Sequence, residues 1–120
     1  MNATIIKPIT NATGAVTSDP IDITHIRFLT FTGELSGSTG PTASVKLQVS
    51  NWAGSPNYDL SNIPNGSFVD VSGASLPFTA DAVKTTTPTQ VCYRFARFVY
   101  ATSGGTPGTF SCTALIQDNR

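Results

Sequence analysis

Apolar residues along this chain alternate with polar ones and do not recur at helical spacing. Between Ala43 and Asn51, the residues Val45, Leu47 and Val49 alternate with Lys46, Gln48 and Ser50, which predicts a strand with one buried and one wet face. Ile21 to Thr32 is longer and changes parity. Ile21 and Ile23 share one face, whereas apolar residues occupy both from Ile26 to Phe31; a bulge near Thr24 or His25, or burial on both faces, accounts for this. Further strands are expected around Thr4 to Lys7, at Phe68 to Val71 and at Leu76 to Thr79, the last held to a sheet edge or an irregular place by Pro77. Pro and Gly interrupt the chain roughly every ten residues, and no stretch sustains the i, i+3, i+4, i+7 pattern of a helix.

The C-terminal third reads as a hairpin: Val91 to Ala101, a turn over Thr102 to Gly108, then Thr109 to Gln117. Phe98 and Tyr100 lie on one face of its first strand, and Val91, Tyr93, Phe95 and Val99 on the other. Such a strand is central and covered on both sides, or meets another subunit. Phe110, Cys112, Ala114 and Ile116 form the expected core face of the second. A hairpin centred near Gly105 sets Cys92 opposite Ile116 to Asp118. At roughly 3.3 Å per residue, that places the two cysteines beyond the ~7 Å Cα separation of a disulfide, so both are read as free, buried thiols. The fold class is therefore all-β, a single antiparallel β-sandwich of jelly-roll or Ig-like type with about seven to eight strands. It spans residues 1–120, with residues 1–19 either a strand or an extended N-terminal arm.

Charge narrows the functions open to such a domain. The formal net charge is zero and 12% of residues are charged, which argues against direct nucleic-acid binding, since neutralising phosphates needs clustered Lys and Arg. Ser and Thr supply about a quarter of the chain, a surface cheap to desolvate and suited to packing against partners. Apolar runs fall far short of the roughly 18 residues of a membrane span. Met1 to Pro8 lacks the pattern of a secretory signal.

Candidate chemistry is sparse. His25 is the single histidine, and no G-x-S-x-G elbow accompanies it, so neither a Ser-His-Asp nor a Cys-His arrangement is expected. The carboxylates Asp19, Asp22, Glu34, Asp59, Asp70, Asp81 and Asp118 are scattered among turns and strand ends, where Asp caps turns. No catalytic residue, cofactor or metal site is expected. Two cysteines and one histidine make a poor zinc site. The loop Asn51 to Tyr58 carries the sole Trp. Its residues Trp52, Asn57 and Tyr58 combine rings with hydrogen-bonding groups, as a sugar site or a protein hot spot does; Trp52 as a plug at the end of the sandwich is the alternative. Arg94 and Arg97, three apart on one strand, are expected on opposite faces. One of them then sits among aromatics, pairing with a carboxylate, stacking on a ring or reaching a neighbouring subunit.

Several segments also resemble a known group. Ser18-Asp19-Pro20-Ile21-Asp22, Phe31-Thr32-Gly33 and Val45-Lys46-Leu47-Gln48-Val49-Ser50-Asn51 occur in the order seen in small β-sandwich virion proteins of tailed bacteriophages. Phe68-Val69-Asp70-Val71, Tyr93-Arg94-Phe95-Ala96-Arg97-Phe98-Val99-Tyr100 and the turn Ser103 to Thr109 continue it. Phe68 stands where that group's pattern has Trp, and Trp52 lies earlier, in a loop. The resemblance implies a non-enzymatic structural protein that assembles as a homo-oligomer. It would decorate or cement a capsid or form part of a tail, with the major capsid or tail protein as partner, and be located in the virion. Assembly in the host cytoplasm fits free thiols. A carbohydrate- or receptor-binding module is the other function the sequence allows.

Overall fold

The computed structural model describes residues 2–53 and 60–118, as β-strands with two short 3-10 turns at Leu60–Asn62 and Asn65–Ser67. The strands are β1 (Asn2–Ala12), β2 (Val16–Thr17), β3 (Ile21–Asp22), β4 (Ile26–Ser36), β5 (Thr42–Ser50), β6 (Val69–Phe78), β7 (Ala82–Thr85), β8 (Thr89–Gln90), β9 (Phe95–Ser103) and β10 (Thr109–Asp118). They form two antiparallel sheets. In the first the order is β1-β10-β4-β7, with β8 continuing β7 along β4. In the second it is β2-β9-β5-β6, with β3 continuing β2 along β9.

The pairings are nested: β1 with β10, β2 and β3 with β9, β4 with β7 and β8, and β5 with β6. A long hairpin rolled into two facing sheets gives this order. It is the double-sheet jelly roll, and it decides between the two sandwich types expected from the sequence.

Each two-piece edge strand is broken where proline withholds an N–H, and a hydroxyl residue fills the gap. Ser18 donates its N–H to Phe98 O at 2.8 Å, and its Oγ accepts from Phe98 N at 2.8 Å, so the pairing along β9 survives the break before Pro20. Thr86 serves Phe31 of β4 in the same way, at 3.0 and 3.1 Å, ahead of Pro88.

The core lies between the sheets, as the alternation of β5 predicts: Val45, Leu47 and Val49 are all buried. Phe98 and Tyr100 of β9 meet Phe31 and Phe110 across the gap. The Phe31–Phe98 pair is edge-on at 5.1 Å, and Tyr100 stacks on Phe110 at 4.1 Å. Phe110, Cys112 and Ala114 are fully buried, with Ile116 partly so. A smaller cluster of Ile63, Phe68 and Phe95 lies on the outer face of β9, so this strand is apolar on both sides; of the residues expected on that outer face, Val91 and Tyr93 precede β9, and Val91 belongs to the main core.

Three expectations are corrected. First, β9 and β10 are not a hairpin. They lie in different sheets and face each other through the core, because consecutive strands of a jelly roll mostly change sheet. The cysteines are free, but only Cys112 is buried; Cys92 precedes β9 and is exposed. Second, the parity change near Thr24 is a crossover from β3 in one sheet to β4 in the other. The turn is closed by Ile26 N to Ile23 O at 2.9 Å, and Asp22 Oδ1 accepts from Thr24 N and Oγ1 at 2.9 and 2.6 Å. Third, the two short strands expected at Phe68–Val71 and Leu76–Thr79 are one edge strand, β6. Its register against β5 slips between Lys46 and Gln48, where Gly73 takes φ 78° and shifts the inward parity to Ala74, Leu76 and Phe78. Pro77 is tolerated because β6 is an edge.

The N-terminal stretch, read as a strand or an arm, forms β1 and β2. The β9–β10 turn is clamped to the β4–β5 turn by Thr39 and Thr106, which exchange two N–H···O bonds of 2.9 Å.

Candidate functional site

At one end of the sandwich three connections converge: the β3–β4 turn, the segment after β5, and the stretch from β8 to β9. The residues after β5 are fixed by a chain of hydroxyls. Ser67 Oγ donates to Pro64 O at 2.7 Å, so Ser50 Oγ must donate to Ser67 at 2.8 Å and accept Trp52 N at 3.1 Å. Arg94 then ties the next connection to this one. Its N–H reaches Ser50 O and Asn51 Oδ1, its Nη1 donates to Trp52 O at 2.9 Å, and its guanidinium lies 5.2 Å from the Phe95 ring centre. Trp52 remains 43% exposed, so it does not plug the end of the sandwich. Asn57 and Tyr58, its expected companions, lie outside the described residues.

Arg97 is placed elsewhere, on the outer face of the second sheet. Its guanidinium lies 4.0 Å over Phe68, Nε donates to Gln48 Oε1 at 2.8 Å and Nη1 to Asn65 Oδ1 at 2.9 Å. Gln48 passes the link to Asp70 at 2.9 Å, and Lys46 bonds the same carboxylate at 3.2 Å. These two partners, Gln48 foremost, hold the Asp70 carboxyl below its usual range. Burial draws the Arg97 guanidinium below its ordinary value, yet such a group stays cationic in proteins. Arg97 therefore clamps the segment before β6 over the smaller apolar cluster. Arg94 precedes β9, so strand parity does not apply to it.

The convergence forms an open cleft of about 520 Å³, lined by Arg27, Asn51, Gln90, Tyr93 and Arg94 together with Thr24, Ile26, Val91 and Cys92. Sequence reasoning found Asn51 and Arg94 but missed Arg27, Gln90 and Tyr93 as a group. Only the β4–β8 pairing, Phe28 with Gln90, brings them together. Elsewhere the described residues offer little chemistry. His25 is exposed in the β3–β4 turn. Asp81 caps the β4–β5 turn through Gly37 N and Ser38, and those bonds, the Ser38 hydroxyl first, hold its carboxyl below the usual range. Burial pushes the Cys112 thiol up to about 12, which makes it inert at neutral pH. Among the described residues no three His, Cys, Asp or Glu side chains gather where a metal ion could bind.

No protein-family model matches the chain, and neither does the sequence of any curated protein. Solved structures do match. The SPBc2 prophage-derived protein YomS aligns at 14% identity and a TM-score of 0.52 over 96% of this chain and 92% of its own. The PBSX exported protein XepA aligns at 15% identity and a TM-score of 0.65 over 99% of this chain, which spans 38% of XepA. At such identities the likeness is one of fold.

Proposed function

We propose that this chain is a non-enzymatic structural protein of a bacteriophage virion, acting as an oligomer that decorates or cements the capsid or builds part of the tail. The observation that carries the reading is the jelly-roll match to a prophage-derived protein over nearly the whole of both chains. Fold does not fix function, so two features of the surface matter beside it. The outer face of the first sheet is poor in charge: the row Ile5, Leu115 and Thr30 leaves Ile5 68% exposed, beside the further row of Thr113, Thr32 and Thr85. Such a face costs little to desolvate against a neighbour. The carboxylates Asp22, Asp70 and Asp81 are engaged in turns or cross-strand bonds, as structural residues are.

Size-exclusion chromatography with light scattering tests the reading. A defined oligomer, or tight association with capsid or tail protein, is expected. A stable monomer that attaches to no virion component overturns it.

A further inference from the structure

Two open sheets leave four edges, and an unpaired edge strand is a template for another chain. Three of the four are blunted by proline. The β2–β3 edge is two short pieces parted ahead of Pro20, and the β7–β8 edge is parted ahead of Pro88. The third, β6, carries Pro77 and loses its register at Gly73. On β1 the irregularity starts only after Ile6, at Lys7 and Pro8. Before it, Asn2 to Ile6 pairs with Asp118 to Ala114 in unbroken register, a run free of proline, glycine and charge. Thr4, Ile5 and Ile6 are β-branched and suit a strand. Among the described residues, no backbone group bonds to this run from the side away from β10, and Ala3, Thr4 and Ile5 are exposed.

The residues of the run match a second copy of itself. An antiparallel pairing across a two-fold axis at Ile5 sets that residue against Ile5 of the partner subunit. Thr4 then faces the partner's Ile6, and Ala3 faces the partner's Lys7. Ile5 and Leu115 share the outer face of the sheet, so their apolar strip runs on into the same strip of the partner. The single charge, Lys7, avoids its own counterpart. The two ammoniums sit four positions apart, about 13 Å along the strand, beyond the screening length of about 8–10 Å. Such an isologous contact is the commonest way for one chain to close an assembly.

We propose that β1 pairs with β1 of a second copy over residues 3–7, joining the two first sheets into one. The proposal rests on the oligomer of the assembly reading and names its contact. A five-residue strand pair buries less than a stable interface needs, so in solution the pairing is reversible and depends on concentration.

Sedimentation equilibrium from about 10 μM to about 1 mM, with hydrogen exchange on the same samples, tests it. Ile5→Lys places two charges at the axis, and Val83→Lys makes the same change at the opposite edge of the sheet. Both side chains are exposed, at 68% and 65%, so both variants keep the fold. The wild type and Val83→Lys should dimerise alike, and Ile5→Lys at least tenfold more weakly. Exchange of those Ala3 to Lys7 amides that are not bonded to β10 should slow as the wild type dimerises. No association by about 1 mM, equal association of Ile5→Lys, or equal weakening by Val83→Lys overturns the proposal. So does a dimer that leaves those amides unprotected, which is a contact through the face of the sheet. A monomer that still binds a virion component sinks the pairing and spares the assembly reading; a β1-paired dimer that binds none does the reverse.

Discussion

Gly105 in the β9–β10 turn allows the jelly-roll closure to be tested by a single methyl group. A Cβ at this position would lie 2.1 Å from Thr39 O and 2.7 Å from Gly40 C and O, with the backbone at φ +54°. Its neighbour Gly104 has a similar φ of +69° but nothing within 4 Å. Alanine at either place pays the left-handed penalty of about 1–2 kcal/mol. At Gly105 the clash is with backbone, which no rotamer change relieves, so the two turns must separate. That breaks both bonds between Thr39 and Thr106, at about 1 kcal/mol each. Gly105→Ala should therefore cost about 3–4 kcal/mol and Gly104→Ala about 1–2. Urea unfolding followed by circular dichroism measures both, with an unchanged m-value showing that the native state is still compact. Two variants within about 0.5 kcal/mol of each other would refute the claim that the turns are clamped backbone to backbone.

Other outcomes follow from the same contacts. Phe110→Ala removes the ring stacked on Tyr100 and edge-on to Phe78 at 5.7 Å, and should cost about 3–5 kcal/mol in a chemical melt. One thiol, Cys92, should react with Ellman's reagent in the native protein and two in denaturant, since Cys112 is buried with its thiol pushed up to about 12; two fast thiols in the native state would contradict that burial. The Asp81 carboxyl is lowered from 3.8, chiefly by Ser38. Its stabilisation is thus fully present above that pH and lost as pH falls through the folded value, and Ser38→Ala should flatten the acid limb of a stability profile. Arg97→Ala should cost about 1–3 kcal/mol, from the Phe68 stack and two charge-assisted bonds. Arg97→Lys should restore less than half of that, because an ammonium cannot span both partners.

Strand content was legible in the sequence where one face alone is buried. The inward residues of β5 and the first three of the inward set of β10 are buried in the core, with Ile116 packed against it and partly buried. Connections were not legible. A turn between strands of one sheet and an arch between two sheets both deliver alternating inward residues, so Thr102 to Gly108 fits either, and the β9–β10 arch resembled a hairpin. The parity change near Thr24 was visible, but a crossover and a bulge leave the same mark, and the slip at Gly73 read as a gap between two short strands. The strand β7 went unseen because Lys84, Thr85 and exposed Val83 at an edge carry no burial pattern. The candidate cleft was half legible. Asn51 and Trp52 stood out as loop residues and Arg94 as a strand residue, whereas Arg27, Gln90 and Tyr93 come from segments that only long-range pairing unites.

The central proposal, that this jelly roll is built into a virus particle, is tested most directly by quantitative mass spectrometry of gradient-purified particles released by cells that produce the chain. The account predicts peptides of this chain co-banding with the particles, at a fixed ratio to the major capsid protein or to a tail protein and resistant to a high-salt wash. Particles that band intact without the chain, while it stays in the soluble fraction of the lysate, would contradict it.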